Sequence, residues 1–223
     1  MSDSIWVRYA SPWWTRSYPL VMLLFGLAGC AASSVHSEYE NGGDVAMDYV
    51  TKAKQAEAHL EYRQVIVWYE RAAALGDARS MNELGWIYFG AHDIPGRELK
   101  DYPKARFWFE KAAGLRYTPA ITQLGVMYSG DGSWGVPSDH AKAADLFLEA
   151  AGAGDPQAMN NVAVAYYRGD GVPENDYAAK QWWQRAVEQD RDGTSGKAAQ
   201  SWLDLLDGKG QCVYCPPTTP VRK

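Results

Sequence analysis

Apolar positions between residues 62 and 90 follow helical spacing. Val65, Trp68, Tyr69, Ala72 and Ala73 recur every three or four residues, which places them on one stripe of an α-helix. Ala78, Met81, Leu84, Gly85 and Tyr88 form a second such stripe after a break. The break holds Gly76, suited to close the first helix, and Asp77, whose carboxylate can cap the next. Two short helices with one apolar stripe each must bury those stripes against each other or against further helices.

The same pattern returns along the chain. "WYERAAALGDARSMNELGWIYFG" (68–90) matches "WFEKAAGLRYTPAITQLGVMYSG" (108–130) at an offset of 40. A third copy, "LFLEAAGAGDPQAMNNVAVAYYRG" (146–169), follows at an offset of 38, and a fourth opens with "WWQRAVEQD" (182–190) before diverging. The third copy repeats the break with Gly154 and Asp155 and adds Pro156 at the favoured first helical position. In the second copy Arg116 and Tyr117 replace the Gly-Asp, so a differently built turn is expected, with Thr118 and Pro119 as cap and proline. "GDGSWGVPSD" (130–139) and "GDGVPEND" (169–176) are turn-rich connections, each ending in an acid able to cap the following helix. The unit is therefore helix, tight turn, helix, loop. One column reads Gly85, Gly125 and Ala163. Glycine in mid-helix costs about 1 kcal/mol relative to alanine, so a small residue kept there predicts a close helix approach.

These motifs resemble the Sel-like repeat of the tetratricopeptide superfamily. The shared features are a "WY-x-x-AA-x-x-G-D" first helix and an "LG-x-x-Y-x-x-G-x-G-V" second helix. The resemblance implies an all-α fold: an α-solenoid of stacked antiparallel helix pairs, three to four repeats over residues 62–207. Residues 44–61, "DVAMDYVTKAKQAEAHLE", read as a further helix that caps the open end of the stack.

Upstream, the run from Leu20 to Ala28 is apolar apart from Gly26, and Arg8 and Arg16 precede it. It has the layout of a signal peptide and is roughly half the ~20 apolar residues a bilayer-spanning helix needs. Leu27, Ala28 and Gly29 before Cys30 resemble the bacterial lipobox. The resemblance implies cleavage after Gly29 and a diacylglyceryl group on the Cys30 thiol, a covalent lipid in place of a protein anchor. It also implies a bacterial envelope lipoprotein, and Ala31 after the cysteine fits sorting to the outer membrane, facing the periplasm. An ordinary secretory leader with an incidental cysteine is the plainer alternative. The resulting organisation is a signal peptide over 1–29, a lipidated tether over 30–43 and the capping helix over 44–61. The solenoid (62–207) and a C-terminal tail (208–223) follow.

Composition narrows the partner. The 223-residue chain has formal charge −5, and loss of the first 29 residues, which net +1, makes it −6. Such mild acidity argues against nucleic acid or an anionic lipid surface as the main partner, leaving the membrane to be reached through the lipid alone.

Site chemistry is sparse. His36, His59, His92 and His140 lie in unrelated surroundings, with no metalloprotease, nucleophile-elbow or phosphate-loop motif. The "GDG" segments do not continue with the alternating oxygen ligands of a calcium loop and recur with the turns. We expect no catalytic residue, no metal and no cofactor beyond the lipid on Cys30. Cys212 and Cys215 in "CVYC" supply only two of the four ligands a structural zinc needs. With export implied, a short disulfide pinning the C-terminus fits an oxidising compartment, and a redox pair is the rival. Seven tryptophans follow the leader. Trp68, Trp108 and Trp182 share a column with Leu146, which marks them as packing, whereas Trp86 and Trp134 do not recur and are the better candidates for partner contacts. The column Arg71, Lys111, Glu149, Arg185 reads as complementing helix dipoles rather than as a basic stripe.

The expected function is a lipid-anchored envelope scaffold or adaptor that binds another protein through the concave surface of its stack, without enzymatic activity. Two alternatives keep the same fold: an immunity protein neutralising a periplasm-delivered toxin, and a glycan or peptidoglycan-binding module that stacks sugars on Trp86 and Trp134.

Overall fold

The computed structural model describes residues 43–90 and 99–209. The chain divides into two compact units, Met1–Val45 and Ala46–Lys223. Of the first, only residues 43–45 are described, as helix. The described residues form helices and no strand: α1 (43–58), α2 (Tyr62–Ala74), α3 (Ala78–Phe89), α4 (Tyr102–Gly114) and α5 (Thr118–Ser129). They continue with α6 (His140–Gly152), α7 (Pro156–Arg168), α8 (Asp176–Gln189) and α9 (Thr194–Leu206). Successive helices pack on one another as the pairs α2/α3, α4/α5, α6/α7 and α8/α9, and each second helix packs on the first helix of the next pair. This is an all-α solenoid of stacked helix pairs.

Stacking rests on the small-residue column. A Cβ built on Gly85 would stand 2.4 Å from the Phe109 ring, and one on Gly125 would stand 2.5 Å from the Phe147 ring. Each ring, fully or almost fully buried, fills the space beside that glycine on the preceding pair's second helix. In the third interface Ala163 holds the small column and is fully buried in the same core as Trp183, which donates its indole N–H to Asn160 Oδ1 at 2.8 Å. Burying one such ring contributes about 1.5–3 kcal/mol, so three of them outweigh the helix-propensity cost of two glycines. The expected close approach is thus a ring seated on a helix backbone.

The turns within pairs are copies of one another, including the one expected to differ. Gly76 and Gly154 have φ of +88° and +93°, and Arg116 adopts the same left-handed region at +59°. In all three turns this residue's N–H bonds to the carbonyl three back, and the next N–H to the carbonyl five back. The pairs are Gly76→Ala73 and Asp77→Ala72, Arg116→Ala113 and Tyr117→Ala112, and Gly154→Ala151 and Asp155→Ala150. Arg116 and Tyr117 therefore stand in the Gly-Asp positions of an unchanged turn. Thr118 is the first residue of α5 rather than its cap; the cap position belongs to Tyr117, whose side chain makes no capping hydrogen bond.

At α3, α4, α6 and α7 the caps are carboxylates. Asp77 accepts from the Ser80 N–H, Asp101 from Lys104, Asp139 from Lys142 and Asp155 from Gln157. At α8 the cap is Asn175, accepting from Ala178, and Asp176 begins the helix instead. A second regularity selects that register. The cap residue's own N–H bonds back to a tyrosine carbonyl on the preceding helix, Asp101→Tyr88, Asp139→Tyr128 and Asn175→Tyr166. Every long loop thus returns to the same point on the stack.

The two ends of the described stack differ. Ala46, Val50, Ala53 and Ala56 of α1 join the core around Val65 and Tyr69. At the other end α9, the diverged second helix of the fourth copy, stacks Trp202 on Trp183 with ring centroids 5.1 Å apart. Asp190 holds the start of α9 by accepting the Ser195 and Gly196 N–H groups.

Candidate interaction surface

The repeat columns separate into buried and half-exposed sets. Tyr69, Phe109, Phe147 and Trp183 are buried, whereas their chain neighbours Trp68, Trp108, Leu146 and Trp182 are half-buried along the edge of the core. The tryptophan column is thus packing on one side only. Its outer side carries cations: the Arg71 guanidinium lies 4.6 Å from the Trp68 ring centroid, and that of Arg185 4.8 Å from Trp182. Lys111 sits 5.5 Å from the Phe107 ring instead, and Phe107 meets Trp108 edge-on. Arg71 and Lys111 occupy the last turn of their helices, where they also complement the dipole; Arg185 does not. One basic column therefore plays two parts, and the ring contacts were hidden from a reading by columns alone.

Trp86 and Trp134, which do not recur in the sequence, are brought together by Phe89. Trp86 packs edge-to-face on Phe89 and Phe109 at 5.9 and 5.8 Å, and Phe89 packs on Trp134 at 5.4 Å. Both tryptophans are partly buried against the core. Cys30, the lipobox residues Leu27, Ala28 and Gly29, and Cys212 and Cys215 lie outside the described residues, as do His36 and His92. His59 and His140 are exposed on separate helix ends. Among the described residues no group of His, Cys, Asp or Glu is arranged to hold a metal ion, and no helix is long and apolar enough to cross a membrane.

Perturbed ionisation is confined to structural contacts. Burial, with the Glu57 carboxylate 3.0 Å away, pushes the Tyr69 hydroxyl well above the usual phenol range. Tyr88 moves the same way through burial and the nearby Glu70. Asp101, Asp131 and Asp207 are held low by hydrogen bonds from Lys104, Ser133 and Lys180 respectively, each a capping, turn or surface contact. A cavity of about 140 Å³ lies among α5, α6 and α7, lined in part by Ser129, His140, Phe147 and Asn161. The Asn161 amide nitrogen is buried without a hydrogen-bond partner among the described residues. None of these groups forms the nucleophile-and-base or paired-acid geometry that catalysis needs.

The apolar residues off the buried stripe are the feature that the sequence reading passed over. Val67 and Leu75 on the α2 side are 44% and 47% exposed, and Phe107 and Leu115 on the α4 side 48% and 52%. The available signal was their recurrence at the repeat offset, one residue before the tryptophan and just after the helix end.

Comparison with known proteins agrees with this architecture. The Sel1 repeat model matches residues 66–77, 78–116, 118–155 and 156–190, together more than half of the chain. Among solved structures, c5321, a protective antigen present in uropathogenic Escherichia coli strains and displaying an SLR fold, is 34% identical with a TM-score of 0.54. That match covers 64% of this chain and 29% of the E. coli one. A Sel1 repeat protein from Oxalobacter formigenes shares the fold at 22% identity and a TM-score of 0.56, covering 66% of this chain and 55% of the other. This chain spans less than a third of the first relative's length and about half of the second's. No curated protein matches it significantly. The matched segments from residue 78 onward each join the second helix of one pair to the first helix of the next, the interface where a ring seats on a small residue. With four consecutive matches over that stack, the chain belongs to the Sel1 repeat family.

Proposed function

We propose that this chain is a lipid-anchored protein of the bacterial envelope whose repeat stack binds another protein as a scaffold or adaptor. Sel1 repeat proteins are in general protein–protein interaction scaffolds and typically not enzymes. The observation that carries the envelope part is the sequence Leu27-Ala28-Gly29-Cys30 at the end of a short apolar run. A thioether-linked diacylglyceryl group at Cys30 places two acyl chains in the bilayer, and at about 0.8 kcal/mol per buried methylene two chains hold firmly where one is marginal. The stack needs no apolar membrane contact of its own, which agrees with the net negative charge.

Fractionation of cells making the wild-type chain and Cys30→Ser tests the anchor. The wild type should sediment with the outer membrane in a processed form, and the variant should accumulate as an uncleaved or mislocalised precursor. A variant that is processed and membrane-bound like the wild type overturns the lipid anchor. Affinity capture with the wild-type chain from its own envelope tests the scaffold reading: one or more specific proteins should be retained at stoichiometric yield. Retention of purified peptidoglycan alone would replace the protein partner with a glycan.

A further inference from the structure

The first two repeats present a flank that the last two do not. On α2 and just beyond it, Val67, Arg71 and Leu75 line up at four-residue spacing, and Phe107, Lys111 and Leu115 repeat the row on α4. Each row covers about 12 Å of helix at 1.5 Å per residue. The four apolar members are 44–52% exposed and recur at matching positions of the two repeats. Both cations lie beside rings, Arg71 on Trp68 and Lys111 on Phe107, and neither is in an ion pair among the described residues. Gln64 and Lys104 extend the same flanks, so neither row contains an acid.

The third repeat inverts this chemistry. Its row reads Asp145, Glu149 and Ala153, and Glu149 reaches back to Arg116 at 3.7 Å. The cationic apolar flank therefore ends at a sharp boundary.

We propose that the flank of α2 and α4 docks an acidic protein segment bearing apolar side chains, a reading that rests on the protein-binding function above. Carboxylates of the segment meet Arg71 and Lys111, and its apolar residues cover Val67, Leu75, Phe107 and Leu115. The boundary at Asp145 and Glu149 favours a segment over a membrane. An anionic bilayer is laterally uniform and would be repelled by the acidic third row on the same columns, whereas a chain of finite length stops before it. Rigid aromatic floors under the cations limit the ordering cost of binding, because the guanidinium and ammonium groups are already placed.

The test uses the full chain and three labelled peptides of equal length: one alternating Glu with Leu and Phe, its Lys counterpart, and oligoglutamate. By fluorescence anisotropy the Glu-Leu-Phe peptide should bind at least about tenfold tighter than the other two. Arg71→Glu with Lys111→Glu should weaken it about tenfold or more, an effect of about 1.4 kcal/mol. Val67→Ser with Phe107→Ser should act in the same direction. Arg191→Glu with Lys197→Glu, the same charge change at exposed positions of the fourth repeat, should leave affinity unchanged. Should the Glu pair lose its helical circular dichroism, Arg71→Gln with Lys111→Gln is expected to give a smaller loss of the same sign. Equal weakening by both charge-reversal pairs, or equal affinity for oligoglutamate, would overturn the proposal while leaving the scaffold function standing. So would binding to phosphatidylglycerol vesicles in place of peptide, or self-association of the chain that the same substitutions abolish.

Discussion

The inward and outward faces of the repeats obey opposite rules. Inward, Gly85 with Phe109 and Gly125 with Phe147 keep one arrangement, and the equivalent Ala163 and Trp183 are fully buried in the third interface. Outward, the rows change from Val67-Arg71-Leu75 and Phe107-Lys111-Leu115 to Asp145-Glu149-Ala153 over the same columns. A stack built from nearest-neighbour contacts constrains only the faces that meet. The outward rows are free of that constraint, so their divergence is where a partner can be specified.

Four experiments press on this contrast, in order of expected effect. Gly125→Val places branched carbons where the first added atom already stands 2.5 Å from a buried ring, and should cost about 3 kcal/mol in urea unfolding. A cost below about 1 kcal/mol would mean that Phe147 does not depend on the glycine backbone.

Tyr69 gives a pH-dependent effect. Its folded-state hydroxyl ionises above the ordinary value of 10, so folding is favoured fully below pH 10 and that contribution is lost as pH rises beyond it. Between pH 10 and 11.5 the wild type should lose up to about 1.4 kcal/mol per pH unit more than Tyr69→Phe does. Parallel curves would contradict the buried, Glu57-bonded phenol.

Turn positions should respond more mildly, with signs that differ between copies. Gly154→Ala, at φ of +93°, should destabilise by about 1 kcal/mol, whereas Arg116→Gly should stabilise by about 0.5 kcal/mol by relieving the same backbone region. Thermal or urea unfolding of both variants checks the pair, and a destabilising Arg116→Gly would refute the shared geometry. The smallest effect belongs to the outward row: Arg71→Glu with Lys111→Glu should change stability by no more than about 0.5 kcal/mol.

Much of the stack was legible in the sequence, because the apolar stripes, the Gly-Asp breaks and the small column are each a local requirement repeated at a fixed interval. What escaped was decided by neighbours. The turn at Arg116 lacks its glycine, yet the helices on either side hold the chain in the same two backbone hydrogen bonds, and an arginine pays the modest left-handed strain. Asn175 rather than Asp176 caps α8 because the bond to the Tyr166 carbonyl sets the register, which no side-chain preference could reveal. The α9 helix was obscured by Gly193 and Gly196; a Cβ at Gly196 would lie 1.8 Å from the Asp190 carbonyl oxygen, so a close backbone approach supplies its reason. On the candidate surface, Trp86 and Trp134 were singled out one at a time, and only the fold shows that Phe89 joins them. The exposed rows were missed because apolar residues off a buried stripe carry no periodic signal until the repeats are aligned.

The central claim is that partner recognition resides on the outward flank of the first two repeats and not in the repeated packing beneath it. Affinity capture from the native envelope with the wild-type chain and with Arg71→Glu, Lys111→Glu, run beside their urea unfolding curves, tests it most directly. The account predicts matching unfolding midpoints and loss of the wild-type partner from the variant. A variant that retains the partner, or loses it only together with its stability, would contradict it.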